Sequence, residues 1–397
     1  MKILHTVEFY YPSRGGAQEV VRHLSERMVK AGHDVTVATS RLPERESLMH
    51  NGVKIVEFAV SGNTVRGIKG EKKKYQDFLR ANKFDVVMNY AAQQWTVDAF
   101  NEIIDEISAV KVLVPCGYSA LYDPAYGTYF EHMPDILNKY DVSVYLSDNY
   151  RDINFAREHK ITNTILIPNG ADENEFMDIM SEEDKRLFRN LFGIGGLTLV
   201  TVGNYTGEKG HRELLEVFRK LPVSKATLVS AGTLKQHDGY FDEFARQAWK
   251  INHSRKHLGK RVVMIDGTDR PTIVKAMKSA DIFVFLSNIE ASPVVMFEAA
   301  ASCLPFVATA AGNNEEIGSW LKNGVIVKTK PMPNGRVAGD INSAIWHITK
   351  MARNPERRRA LGLMGRKMWE KKYTWEKLAN DYIKLYEKLL KQKGAKK

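Results

Sequence analysis

The chain has 397 residues, of which 44% are apolar and 26% charged; this is too long for one hydrophobic core and too apolar for disorder, so two packed domains are expected. Its net charge of +11 comes without a recognised nucleic-acid-binding motif, which argues against a nucleic-acid partner. No run approaches the ~18 apolar residues of a membrane span, and the start, MKILHTVEFYYPSRGG, lacks the apolar core and cleavage site of a secretory signal, so a cytoplasmic protein is expected.

Short apolar runs alternate with helical patterns along the chain. Strands are predicted at 2–7, 34–39, 53–58, 85–90, 111–114, 142–146 and 164–167, then at 198–202, 226–230, 262–265, 281–286, 306–308 and 325–328. Such alternation predicts parallel, doubly wound sheets covered by helices, in two Rossmann-like domains whose ligands sit at the carboxyl ends of strands. The acid-rich stretch 172–184 separates the two series and reads as the linker. The expected division is 1–175, 176–372 and a basic terminal helix over 373–397.

In the first domain, the opening strand leads through Phe9-Tyr10-Tyr11-Pro12 to Ser13-Arg14-Gly15-Gly16. Glycines here let backbone approach a ligand, and the next helix presents its N-terminus to it; a plain strand-to-helix turn reads equally well. Gly32-His33 closes that helix as a C-cap turn. After the fifth strand comes Pro115-Cys116-Gly117-Tyr118, followed by Tyr122, Tyr126 and Tyr129, which can stack on a sugar or pack a core. Cys116 and Cys303 have no neighbours at metal-ligand spacing and read as free thiols.

In the second domain, Gly203-Asn204 ends a strand and Lys209-Gly210 opens a helix, where a lysine can extend its ammonium to a diphosphate. Arg212, a turn later, is either a further phosphate contact or an exposed helix residue. The stretch 281–309, DIFVFLSNIEASPVVMFEAAASCLPFVAT, reads as strand, loop, helix opened by Pro293, and strand. Glu290 precedes that helix and Glu298 lies within it. Between them the first-turn amides of Val294, Val295 and Met296 can hold an anion, so carboxylates flank an anion site, which suits a ligand with hydroxyls on either side of a phosphate, the shape of a nucleotide sugar. No Asp-X-Asp triplet occurs, so no metal on the diphosphate is expected.

The last 45 residues hold fifteen Lys or Arg against five Asp or Glu, which leaves +10 of the net +11 in the tail. Trp375, Leu378, Ala379, Tyr382, Tyr386, Leu389 and Leu390 recur at helical spacing, so the terminal helix has an apolar and a basic face. A docked helix with a solvated face and attraction to an anionic membrane surface are both readings of this pattern.

Four stretches in this order, GGAQEVVRHLSERMVKAGHDVTVATS, IPNGAD, VGNYTGEKG and the 281–309 segment, resemble the retaining glycosyltransferases of family 4, which have the GT-B fold. The resemblance implies two Rossmann-like domains facing across a cleft, with the last helix crossing back to the first. It implies transfer of a sugar from a nucleoside-diphosphate sugar to a saccharide or lipid-linked acceptor, without cofactor or metal. Donor contacts then fall to Gly15, Gly16, Gly203, Asn204, Lys209, Pro293, Val294, Val295 and Glu298, with Glu298 on the ribose. Glu290 and Lys209 take the catalytic roles, at the sugar hydroxyls and the diphosphate; Tyr118 and Tyr122 take the acceptor. The loop 312–316, GNNEE, resembles one that lines the donor site, which brings in Glu315 or Glu316.

Three departures stand out. Asn204 occupies the place of a usual arginine, Ala291 that of a glycine, and no histidine occurs between His50 and His132, where the family often carries one near the reacting carbon. They leave two alternatives beside the transferase: a sugar-nucleotide epimerase of the same architecture, and a non-catalytic sugar-nucleotide or glycan-binding protein.

Overall fold

A computed structural model describes residues 1–232, 239–267 and 269–395. The chain divides into two compact units, one formed by Met1–Asn169 with Trp375–Lys397, the other by Gly170–Thr374.

The first unit is built on an eight-stranded sheet in the order Thr164–Leu166, Val142–Tyr145, Val110–Val114, Val86–Tyr90, Lys2–Thr6, Asp34–Ser40, Val53–Phe58 and Met49–His50. All neighbours are parallel except Met49–His50, which folds back on Val53–Phe58. Every residue of Val86–Tyr90 is buried, as expected of a parallel strand covered on both faces. Chain order reverses beside the first strand, so the carboxyl ends of Lys2–Thr6 and Val86–Tyr90 border a switch point.

The helix Trp375–Gly394 packs on Gly16–Lys30 through Trp375, Leu378, Ala379, Tyr382, Leu385 and Tyr386. Trp375 stacks on His23 with ring centroids 5.4 Å apart, and the Tyr386 hydroxyl lies 3.4 Å from His5 Nε2. The apolar face is therefore docked, and Lys377, Lys384, Lys388 and Lys391 stand exposed on the other. Among the described residues no helix is long and apolar enough to cross a membrane.

The second unit carries a six-stranded, wholly parallel sheet: Lys260–Asp266, Ala226–Gly232, Leu197–Val202, Ile282–Phe285, Phe306–Ala308 and Gly324–Ile326. Numbered along the unit this is the order 3-2-1-4-5-6, with its switch point between Leu197–Val202 and Ile282–Phe285. The unit begins at Gly170, earlier than the boundary expected after 175, because Phe176 is fully buried in its core and Ala171 N donates to Tyr373 O at 3.0 Å. The stretch 172–184 thus belongs to this unit. Its end opens the helix Glu182–Leu191, where Ser181 Oγ accepts from Asp184 N at 3.1 Å. Two hairpins, Val60–Ser61 with Lys69–Gly70 and Thr329–Met332 with Arg336–Gly339, gave no sequence signal, being short and largely polar or exposed.

Candidate functional site

At the switch point of the second unit the loop after Leu197–Val202 meets the loop after Ile282–Phe285. Gly210 makes the approach possible: it has φ +68°, and a Cβ there would lie 1.9 Å from Leu286 O. Asn288 N donates to Glu208 O at 2.8 Å, and Ser287 Oγ lies 3.1 Å from the same carbonyl. These contacts fix Lys209 Nζ 2.6 Å from Glu290 Oε1, which also accepts from Ser287 Oγ at 2.7 Å. The sequence placed Lys209 and Glu290 in one site, and the structure joins them directly.

A third loop backs the pair. Gly312, with φ +59°, brings its backbone so close to Glu290 that a Cβ would lie 2.5 Å from Glu290 O. Asn313 N donates to Ala291 O at 3.3 Å, and its side-chain amide to Ser292 Oγ at 3.3 Å. Glu315 and Glu316 open the helix Asn314–Leu321, with Glu315 exposed.

Pro293 is the residue before the helix Val294–Ala301 rather than its first turn, and as the N-cap it makes no side-chain hydrogen bond to the helix. Its leading amides, Val294 and Val295, lie at the positive end of the dipole, with no carbonyl of an earlier turn to bond. Further in, Glu298 is buried and gripped by Arg270, with Nη2–Oε1 at 2.5 Å and Nη1–Oε2 at 3.3 Å. Arg270 Nε donates to Glu175 Oε1 at 3.0 Å. Burial opposes the guanidinium charge, but Glu298 and Glu175 outweigh it and hold its pKa above the ordinary arginine value. Beside Lys209, His211 is pushed down to about 4 by burial and then by the lysine's charge, so it is neutral at pH 7.

Gly203 N donates to Ala231 O at 2.9 Å, and a Cβ on Gly203 would meet only ordinary contacts, 3.9 Å from Lys209 Cγ. Asn204 follows at the turn, its carbonyl accepting from Thr206 N at 2.8 Å. Arg212 Nε donates to Glu243 Oε2 at 3.2 Å and is exposed, which commits it to a surface pair rather than the Lys209 loop.

In the first unit the carboxyl ends of the central strands carry unusual backbone. Ala91, Gln93, Cys116 and Tyr118 have positive φ, at +65°, +69°, +59° and +44°, and Gly117 between the last two has +90°. Non-glycine residues rarely adopt this region, and strain of this kind concentrates at binding sites. Gly15 precedes the first helix in extended backbone, and a Cβ built on Gly16 would meet no atom within 4 Å beyond its chain neighbours and its own helix backbone among the described residues. Tyr118 is fully buried, edge-on to Phe130 and Phe155, so its ring belongs to the core and offers no stacking face. Of the four tyrosines only Tyr122 is exposed. Burial pushes the Cys116 thiol up to about 11, leaving it protonated and inert.

Sequence reading missed Arg270, Ser287 and the role of Gly210. Arg270 opens a helix after Asp269 and before Pro271, a helix start that signals an N-terminus and nothing about a partner at Glu298. Gly210 had a visible cue, a glycine after Lys209 at a helix opening, but its target at Leu286 is long-range.

Residues 184–368 match the family described as Glycosyl transferases group 1. Over 98% of its length the chain is 26% identical to an uncharacterized glycosyltransferase of Methanocaldococcus jannaschii, 98% of which is covered. Among solved structures it is similar to sucrose-phosphate synthase from Thermosynechococcus elongatus, at TM-score 0.77 and 17% identity over 98% of this chain and 99% of that one. It is also similar to Anabaena HepE in complex with UDP-glucose, at TM-score 0.75 and 14% identity over 98% and 100% of the two chains. The two parallel-sheet units and the likeness across the whole length show the GT-B fold, and residues 184–368 of the second unit form a domain of the Glycosyl transferases group 1 family.

Proposed function

We propose that the enzyme transfers a sugar from a nucleoside-diphosphate sugar to a saccharide or lipid-linked acceptor, with retention of configuration and without a metal, in assembly of a cell-envelope glycan. The observation that carries the donor reading is the Lys209–Glu290 pair at the switch point, next to the N-terminus of the helix Val294–Ala301. HepE, with the same fold, binds UDP-glucose.

Departure of the diphosphate concentrates negative charge on its oxygens, and fixed positive groups aimed there lower the barrier. The Lys209 ammonium acts as a point charge, and the amides of Val294 and Val295 act through the helix N-terminus. Without donor, Glu290 neutralises Lys209. When the diphosphate enters, the ammonium turns to phosphate and a Glu290 oxygen is released to accept from a sugar hydroxyl. Lys209 exchanges one ion pair for another, and the Glu290 carboxylate keeps the hydrogen bond from Ser287 and gains one from the sugar hydroxyl in place of its ion pair. Glu298, oriented by two Arg270 donors, accepts from the ribose hydroxyls. The acceptor oxygen attacks the anomeric carbon on the face the diphosphate leaves, a diphosphate oxygen takes its proton, and no protein nucleophile is needed.

The envelope reading draws support from the exposed lysines of Trp375–Gly394, which attract an anionic surface while the apolar face stays docked. Product analysis with radiolabelled nucleotide sugars and membrane extract tests the whole: a labelled glycan or glycolipid of unchanged anomeric configuration is expected. Inversion, or a modified sugar nucleotide with no acceptor product, contradicts it.

A further inference from the structure

Arg151 opens the helix Arg151–Glu158 that follows the strand Val142–Tyr145, and its side chain is only 7% exposed. A buried guanidinium normally has its donors paired, because an uncompensated buried charge is costly. Here Nη2 donates to the Tyr150 hydroxyl at 2.6 Å, whereas Nη1 has no partner among the described residues. The cation lies over two rings, 5.0 Å from the Tyr150 centroid and 5.5 Å from that of Tyr122. Tyrosine faces hold a guanidinium without using its N–H edge.

The neighbouring carboxylate does not take up that edge. Asp152 spends its oxygens on backbone: Oδ2 accepts from Gly117 N at 2.8 Å and Oδ1 from Ile153 N at 3.0 Å. Asp152 thereby ties the strained turn Cys116-Gly117-Tyr118 to the start of this helix. The buried hydroxyl of Tyr118 also lies in electrostatic reach of Asp152 and has no hydrogen-bond partner among the described residues. The unpaired Arg151 Nη1 thus belongs to the helix that follows the parallel strand Val142–Tyr145, on the carboxyl side where ligands of open α/β sheets sit.

We infer that Arg151, with the ring of Tyr122, is a subsite for an anionic group on the acceptor, a phosphate or a carboxylate. The planar fork of a guanidinium matches either group with two parallel hydrogen bonds, which a lysine does not. Arg151 supplies Nη1 and the exposed ring of Tyr122 covers the bound group or the sugar beside it. The inference rests on the reading of this unit as the acceptor side. It names the acceptor's chemistry, which that reading leaves open.

The test is thermal stabilisation of the full chain by inorganic phosphate, malonate and short-chain phosphatidylglycerol at constant ionic strength, which separate free phosphate, carboxylate and lipid diester. Because phosphate also suits Lys209, each titration is run in the native chain and in Lys209→Ala, with Arg151→Gln and Arg151→Lys added to each. At least one anion is expected to stabilise Lys209→Ala nearly as well as the native chain, with at least a tenfold loss of apparent affinity in Arg151→Gln and a partial loss in Arg151→Lys. Anion stabilisation abolished by Lys209→Ala and untouched by Arg151→Gln overturns the inference and leaves the donor reading standing. No stabilisation of Lys209→Ala by any of the three also overturns it. If Arg151→Gln does not fold, Tyr122→Ala, at an exposed position, replaces it, and undiminished anion affinity in that variant counts against the subsite. The donor reading fails separately, by absence of any response to nucleoside diphosphates.

Discussion

Lys209 and Glu290 lie 81 residues apart in sequence, yet Lys209 Nζ and Glu290 Oε1 are 2.6 Å apart at the ends of adjacent parallel strands. The lysine side chain is 29% exposed and the glutamate 9%. The pair is therefore half open, accessible to a ligand and partly shielded from water.

Removing either member changes catalysis more than folding. Lys209→Ala is expected to lower kcat by about 100-fold or more, as losing one fixed donor to a developing anion does. The stability loss should stay near ~1–2 kcal/mol, since the lysine is partly solvated. Glu290→Ala should lower kcat with little change in donor KM. Steady-state kinetics and urea unfolding of both variants check this; two variants with native kcat refute the site.

Glycine identity at 210 is a geometric requirement. Gly210→Ala places a Cβ 1.9 Å from Leu286 O on a residue at φ +68°, so the two loops must part. A loss above ~1 kcal/mol is expected, together with the nucleotide response. Gly203→Ala, whose Cβ meets atoms no nearer than 3.9 Å, is expected to cost less than the Gly210 variant. Equal stabilities for the two would contradict the packing described.

Arg270 should act through Glu298. Arg270→Gln leaves a buried carboxylate without its fork, and donor KM is expected to rise about tenfold with a smaller change in kcat. Arg270→Lys restores the charge without the two-point grip and should recover only part of the loss. A change confined to kcat, with donor KM native, would separate Arg270 from donor binding.

Acid stability carries the imprint of His5. It is fully buried, its Nδ1 2.8 Å from Ser25 Oγ, and burial pushes its pKa from 6.5 down to about 3. The unfolded chain takes up a proton below pH 6.5 that the folded chain refuses, so stability falls as pH drops from about 6.5 towards 3. Between pH 7 and pH 5 this one group contributes a loss of ~2 kcal/mol. In His5→Gln, chemical denaturation at the two pH values should show that much less dependence, and an unchanged difference would refute the assignment.

The basic face of the terminal helix makes a separate claim. Lys384→Glu, Lys388→Glu and Lys391→Glu together are expected to weaken binding to anionic vesicles by ~1 kcal/mol or more per reversed charge while leaving Tm nearly unchanged, because all three side chains are exposed. Vesicle co-sedimentation that is unaffected by the triple change removes the membrane surface from the account.

Strand positions were legible because parallel strands buried on both faces leave continuous apolar runs. Those of 53–58 and 306–308 were placed to the residue. The site was legible where chemistry and helix punctuation coincide, as at Glu290, Pro293 and Lys209. What stayed hidden depends on tertiary approach. Nothing local says that Arg270 reaches Glu298, that Gly210 faces Leu286, or that Tyr118 turns inward while Tyr122 stays out. The unit boundary shifted for the same reason, since a polar run reads as linker until Phe176 is seen in a core.

The central claim is a nucleoside-diphosphate site built on Lys209, and thermal stabilisation by UDP, GDP, ADP, dTDP and CDP tests it most directly, in the native chain and in Lys209→Ala. One nucleotide should raise Tm of the native protein by mass action, and Lys209→Ala should lose most of that rise. No response to any of the five, or a response of equal size in Lys209→Ala, would contradict the account.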